Sequence, residues 1–453
     1  MVDVGKVFGF IDSHYKDYVD VLGSLISVPT VSAIGEHMDE GAELVASLLR
    51  ERGVKASVES FGGHPVVFGE IGSGDKTVLI YNHYDVQPPE PLDLWESPPF
   101  EMTRRNGFLF GRGVADNKGN IAARIGALDA LIPYLDELGL KVKFVVEGEE
   151  EIGSPNFLNA IEKKRDFLVA QGGIWETGYV GRTGRLGITL GFKGMLYLEL
   201  TVRGANRDSH SGSAPLIPNP VWKLVRLLSL LKREDGYIPI PGFYDDIDRE
   251  FLEMANELIQ KLDPSQLEKM KEDLGIKEFV GGLEGYDAYK ALLTSPSLNV
   301  CGIYSGYIGK GSKTVIPSYA MAKIDIRPVP GQDPKKLLEK TRKYLVENGF
   351  DDVNIEVHSM YPSGYSKPDE AIVKASISAA VDVYGSDPQV TPLSGGSGPI
   401  YMFTNLLGIP MTGAGVGYYG SKSHAPNENI RVEDFVKSMK HVALTLIRFS
   451  EIL

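Results

Sequence analysis

Cysteine occurs once in the 453 residues, at Cys301, so the chain has neither an intrachain disulfide framework nor a thiolate metal cluster. The setting of that residue, SLNVCGIYSG, reads as a strand and predicts a small, buried, apolar side chain. Basic residues are in deficit, 47 against 60 acidic ones, and the net charge is −13. That balance argues against nonspecific nucleic-acid binding, which needs basic stripes. Long apolar runs are missing too: none approaches the ~20 residues a membrane span requires. The opening MVDVGKVFGFIDSHYKDYVDVL is charged and helical in period, unlike a signal peptide, so a soluble cytoplasmic protein is expected. There is no internal repeat and no low-complexity segment. What is present, 43% apolar and 24% charged residues, is the composition of a globular protein. Its length exceeds one ordinary core and predicts two or three domains.

The first 190 residues alternate between strand-like and helix-like segments. An amphipathic helix is expected over 38–53, apolar strands at VLIYNH and KVKFVVEGEE, and an alanine-rich helix between them in NKGNIAARIGALDALIPYL. This alternation predicts an α/β sheet covered by helices. Both apolar strands run into ionisable residues, His83 and Asp85 after one and Glu147 to Glu151 after the other. Ligand sites of open α/β sheets lie beyond the carboxyl ends of strands, so the two clusters are expected to share a cleft. From about 192 the pattern changes. GMLYLELTVRG and AMAKIDIRPVP alternate as half-exposed strands, helices are expected over 219–232 and 248–273, and another is closed by Gly349. The last stretch returns to α/β character, with helices over 369–383 and 432–450 around the glycine-rich LSGGSGPIYMF. The expected architecture is a catalytic α/β domain (1–190 and 361–453) split by an inserted α+β domain (191–360).

Candidate ligand residues are scattered along the chain in NHYD, GRGVADNKG, VEGEEEIGS, GGIWETG and KSHAPNE. In a strand, residues i and i+2 point the same way, so Asp85 can hold the imidazole of His83 by its second N–H. Taken singly, each candidate has an ordinary reading as well. Asp116 is placed as a helix N-cap, Glu149 and Glu150 as a solvated acidic turn, Glu176 as a loop carboxylate and His424 as a surface histidine.

Taken together and in order, HYD, GRGVADNKG, EGEEEIGS, DSHSG, GSKTVIPSYAMAKIDIRPVPGQ and SHAPNE resemble the two-zinc aminoacylase/carnosinase family of metallopeptidases. The resemblance covers nearly the whole chain. It implies a zinc-exopeptidase-like domain, a mixed sheet with helices on both faces, interrupted by a lid and dimerisation domain. It also implies two zinc ions, with manganese or cobalt as substitutes, bridged by Asp116. His83 and Glu176 would complete one metal site, and Glu150 and His424 the other. Glu149 would be the general base that deprotonates the attacking water, and Asp85 would orient His83. A cis Asp116–Asn117 peptide is implied as well. Glutamate at position 176, where the carnosinase branch has aspartate, leaves the branch open.

In the inserted domain the resemblance assigns His210, in RDSHSG, to the tetrahedral oxyanion, acting in trans across a homodimer. Arg327 would clamp a substrate carboxylate; a salt bridge inside the domain is the other reading. Gly395, Gly396 and Ser397 offer backbone N–H groups to the same carboxylate, or form a plain turn. The cleft-lining resemblance of WESPPF is equally explained by packing. The expected activity is hydrolysis of an amide bond next to a free carboxylate, as a dipeptidase or carboxypeptidase acting on small peptides. The alternatives are an N-acyl-amino-acid deacylase and a metal-binding protein without turnover.

Overall fold

In the computed structural model, which describes residues 2–453, contacts divide the chain into two compact units. The first comprises Met1–Leu190, Tyr365–Thr391 and Met402–Leu453, and the second Gly191–Gly364 and Pro392–Tyr401. Residues 392–401 thus differ from their expected place in the catalytic part. The reason is strand pairing: Phe192 aligns with Ser394 and Lys193 with Ser397 in a short parallel ladder.

The first unit is built on a six-stranded mixed sheet. Its spatial order is Lys55–Glu59, Val66–Ile71, Leu140–Glu147, Lys76–His83, Gly172–Trp175 and Met411–Gly413. The first three strands pair antiparallel, and the remaining neighbours pair parallel. The central strand Lys76–His83 is buried from Val78 onward, as its continuous apolar run requires for a strand covered on both faces. Met38–Arg50 packs on the antiparallel edge, and Ala371–Tyr384 packs on Gly172–Trp175 and Met411–Gly413.

Helix Lys118–Leu131 is buried at every position except Asp129 and lies against Val4–Ile26 and Val432–Ile452. Its alanine and glycine content allows this. A Cβ on Gly126 would stand 2.4 Å from Met439 Sδ and 3.0 Å from the Tyr18 ring. The tight approach is what a helix buried on all sides needs in a core. No helix among the described residues is long and apolar enough to cross a membrane.

The second unit is α+β. A four-stranded antiparallel sheet runs in the order Ser297–Ser305, Tyr319–Arg327, Met195–Arg203, Asn354–Tyr361. Alternation in Met195–Arg203 sends Leu196, Leu198 and Leu200 into a core with Leu227, Leu231, Leu337 and Leu345. Those four leucines come from helices Pro220–Leu231 and Pro334–Glu347. The single helix expected over 248–273 is instead two, Arg249–Ile259 and Ser265–Leu274. Pro264 interrupts them, and Asp263 accepts the N–H of Ser265 in the turn. Cys301 is exposed, contrary to the buried side chain its apolar neighbours predict. Its strand lies at the sheet edge, where fewer neighbours cover it.

Candidate metal centre

Three adjacent parallel strands deliver the ionisable residues to one place. His83 ends Lys76–His83 and stands in register with Glu147, the end of Leu140–Glu147; Trp175 ends the neighbouring strand. Just beyond these ends come Asp85, then Glu150 and Glu151, then Glu176, so the shared cleft expected from the strand ends is present.

His83 is fully buried. Its Nδ1 lies 3.2 Å from Asp85 Oδ1 and 3.1 Å from the Asp85 carbonyl oxygen. Its Nε2 faces Asp116 Oδ1 at 3.1 Å and Glu176 Oε2 at 3.4 Å. The second oxygen of Asp116 lies 3.1 Å from His424 Nε2, which also meets Glu151 Oε2 at 3.2 Å. One carboxylate therefore stands between two histidines, and each histidine has a second carboxylate beside it. His424 sits in a loop where Lys422, His424 and Asn427 all have positive φ, a left-handed conformation that non-glycine side chains disfavour. Asp116 and Asn117 are joined by a cis peptide bond. Asn117 is held from both sides, accepting from Asn82 Nδ2 at 2.5 Å and donating to the Glu176 carbonyl at 3.1 Å.

The donor set suits a divalent cation. Burial alone would raise the Asp116 pKa, but hydrogen bonds from His424 and His83 hold it well below the usual carboxylate range. Glu151 Oε1 and Glu176 Oε2 are buried without a hydrogen-bond partner. Buried carboxylates that face one another are costly, and a cation among them supplies the missing charge. Imidazole with carboxylate is the ligand chemistry of zinc and its neighbours in the first transition row.

The three consecutive glutamates separate here. The carboxylate of Glu149 accepts the N–H of His64 (3.0 Å), the N–H of Asn156 (3.1 Å) and the Asn156 side-chain amide (3.1 Å). It ties the turn to two other loops and makes no hydrogen bond or ion pair with His83 or His424. Glu150, expected as a ligand, makes none of the histidine contacts; Glu151 takes that place beside His424. The histidine contact expected of Glu150 therefore falls one residue later, on Glu151. The cause is the 3₁₀ turn Glu150–Ile152, which ends the two-residue alternation of the strand. Asp85 sets this turn, its carboxylate accepting the N–H groups of Glu150 (3.3 Å) and Glu151 (3.0 Å). Glu150 is pushed up to about 8, chiefly by burial; the attraction of His83 opposes the rise, and repulsion from Glu151, Asp116 and Asp85 adds to it.

Other participants escaped the sequence reading. Arg124 is buried and donates to the carbonyls of Trp175, Glu176 and Ala414. Lys118 Nζ donates to the carbonyls of Leu25 (2.9 Å) and Val28 (2.6 Å). Their signal was only a basic residue within an otherwise apolar helix. A cavity of about 380 Å³ opens beside Asp116, lined by Thr177, Tyr179, Tyr418, Ser421 and Lys422 among others.

In the second unit Arg327 and Ser397 come together. Arg327 Nη1 donates to Ser397 Oγ at 2.9 Å, and Nε to Asp325 Oδ2 at 2.9 Å. Ser397 Oγ in turn donates to the Gly194 carbonyl. Gly395 and Gly396 lie on the same short strand, Ser394–Ser397, where the Gly396 N–H is taken by Ser394 Oγ at 3.0 Å. His210 is exposed and its Nδ1 accepts the N–H of Gly212 at 3.0 Å.

Residues 79–448 match the model of peptidase family M20/M25/M40. The Cys-Gly metallodipeptidase dug1 of Schizosaccharomyces pombe is 30% identical, over 97% of this chain and 97% of its own. The M20 family metallo-carboxypeptidase Sso-CP2 from Sulfolobus solfataricus is 42% identical with a TM-score of 0.90, covering 96% of this chain and 99% of its own. Human carnosine dipeptidase 1 is 25% identical with a TM-score of 0.80, over 99% and 100% of the two chains. These relatives are peptidases, which favours peptide-bond hydrolysis over deacylation, and turnover over metal binding alone. With three glutamate, histidine and aspartate clusters meeting at the strand ends, the chain belongs to peptidase family M20/M25/M40 and is a metallopeptidase.

Proposed function

We propose that the protein is a two-zinc exopeptidase cleaving dipeptides or the C-terminal residue of short peptides. The observation that carries this reading is Asp116, whose two carboxylate oxygens each lie 3.1 Å from a different histidine. His83, Asp116 and Glu176 would hold one ion, and His424, Asp116 and Glu151 the other. When bound, the ions supply positive charge that polarises the scissile carbonyl and acidifies water. Glu150 acts as the base that takes the proton from the attacking water and passes it to the leaving amine. Its place beside Glu151, without the histidine contact that a ligand takes, supports this.

His210 is assigned to the developing oxyanion. A neutral ring whose Nδ1 accepts a backbone N–H carries its proton on Nε2, and that atom is the donor such a role needs. Arg327, beside Ser397 on the strand that carries Gly395 and Gly396, is assigned to the substrate carboxylate; it already carries an Asp325 partner, which holds the guanidinium in place. A homodimer through the second unit is part of the proposal. The edge strand Ser297–Ser305 supports it, with Val300, Ile303 and Tyr304 exposed along a free row of backbone groups. A cytoplasmic location goes with the single, unpaired cysteine.

The test is a panel of dipeptides, C-terminally blocked dipeptides and N-acetyl amino acids, with the metal-free protein and after zinc, manganese or cobalt is restored. Metal-dependent release of free amino acids from unblocked dipeptides is expected. Turnover confined to the acetylated compounds would transfer the protein to the deacylase reading.

A further inference from the structure

One buried carboxylate outside the ligand set reaches both halves of the centre. Glu428 is 0% exposed and lies four residues after His424. Its Oε1 accepts the backbone N–H of Ala115 (2.9 Å) and of Asp116 (3.0 Å). Its Oε2 accepts the N–H of Gly113 (3.0 Å) and Arg112 Nη1 (2.8 Å). The loop can curl its N–H groups round one side chain because Gly113 has φ 94, and a Cβ there would come within 2.9 Å of Val86. The backbone on either side is fastened as well. Gly111 N–H donates to the Glu428 carbonyl, and Asn429–Arg431 pairs antiparallel with Phe108–Phe110. The loop that carries Asp116 and the loop that carries His424, some three hundred residues apart in the chain, are thus joined through a single carboxylate.

All four partners are donors, so only an acceptor on every side satisfies them. An amide would set its own NH₂ either against two backbone N–H groups or against Gly113 and the guanidinium. We propose that Glu428 is the positioning residue of the metal centre, its carboxylate setting the placement of Asp116 relative to His424 and with it the affinity for the ions. The inference rests on the metal-centre reading above. It assigns no contact with substrate to Glu428. Being buried and paired with Arg112, Glu428 also contributes to stability, so the test must separate placement from folding.

Zinc affinity is measured by competition with a chromophoric chelator on the metal-free wild type, Glu428→Gln and Glu428→Asp. The unfolding midpoint of each metal-free protein is recorded alongside. The wild type should bind two ions. Glu428→Gln should weaken at least one of them by about 10–100-fold, the range for losing a group that orients a ligand. Glu428→Asp keeps the charge and acceptors but withdraws them by one methylene. It should weaken zinc in the same direction and carries the measurement if the glutamine variant does not fold. At saturating zinc, kcat should fall with KM little changed. A folded variant with wild-type affinity for both ions, whatever its stability, overturns the proposal. A wild type that binds fewer than two ions would instead count against the metal-centre reading.

Discussion

Glu149, Glu150 and Glu151 are chemically identical neighbours in three different surroundings. Glu149 is saturated by three N–H donors, Glu150 is buried among like charges, and Glu151 faces His424. Glu150→Gln should therefore lower turnover by a factor on the order of 10²–10⁴ while zinc content stays near two per chain. Glu151→Gln should lose zinc, because a charged ligand becomes a weak neutral one. Glu149→Gln should keep both metal and most of the activity but lower the unfolding midpoint, since an amide cannot accept from all three donors. Metal analysis, rate and midpoint on the three variants check this. An inactive, fully metallated Glu149→Gln beside an active Glu150→Gln would restore the assignment expected from sequence.

At the scale of elements, helix Lys118–Leu131 and its neighbours carry the centre from below. The first turn of the helix is pressed onto the ligand loop: a Cβ on Gly119 would lie 1.9 Å from the Val114 carbonyl oxygen. Backbone cannot yield as a side chain does, so Gly119→Ala should displace the Asp116 loop, despite alanine's better helix propensity. Reduced zinc affinity together with a lower midpoint is expected, whereas an unchanged midpoint would contradict the close approach. Further along the core, helices Ala371–Tyr384 and Val432–Ile452 meet at His441. Its Nε2 donates to the Ser376 carbonyl at 3.0 Å, and its Nδ1 is buried without a partner. Burial lowers its pKa from 6.5 to about 4, and protonation would place an N–H where nothing accepts it. Above pH 6.5 the ring is neutral in both folded and unfolded chains and contributes no pH dependence. Between 6.5 and about 4 only the unfolded chain binds the proton, so stability falls as the pH falls. The full loss is about 3 kcal/mol, reached near pH 4. Denaturant unfolding of the wild type and His441→Gln across that window should show the wild type losing more, by about this amount at the acid end.

For the whole molecule, the proposed dimer makes a prediction that activity alone can read. If His210 acts in trans, Glu150→Gln and His210→Ala subunits, each inactive alone, should recover activity when co-assembled. The ceiling is one competent site of two in each mixed dimer. Verified mixed dimers that stay inactive, or an active monomer, would exclude the trans role. Chelation offers a second check at this scale. Removing metal should abolish turnover before the fold is lost, because most of the buried side chains of both units are apolar and need no ion. Far-ultraviolet circular dichroism that collapses with activity would show that metal holds the fold itself.

The alternating strand and helix pattern, the apolar run ending at His83, and the ordered clusters with Asp116, Glu176 and His424 were legible in the residues. Periodicity and composition are local, and a buried strand or an inserted α+β unit declares itself over ten to twenty positions. The order of clusters likewise carried the family and most of the side chains that meet at the centre. Which glutamate of three faces the histidines was not legible, because a 3₁₀ turn held by Asp85 decides it. Nor was the exposure of Cys301, which depends on its strand being an edge, or the place of residues 392–401, which depends on a partner strand two hundred residues away. Glu428 had no role of its own in the sequence beyond closing the cluster SHAPNE. Four donors converge on it from a loop distant in sequence, and such convergence exists only once the chain has folded. Sequence alone determined the element types and the stock of candidate ligand side chains, since both follow from side-chain chemistry and near neighbours. Tertiary structure decided which atoms of that stock face one another, because direction and distance between remote segments are properties of packing.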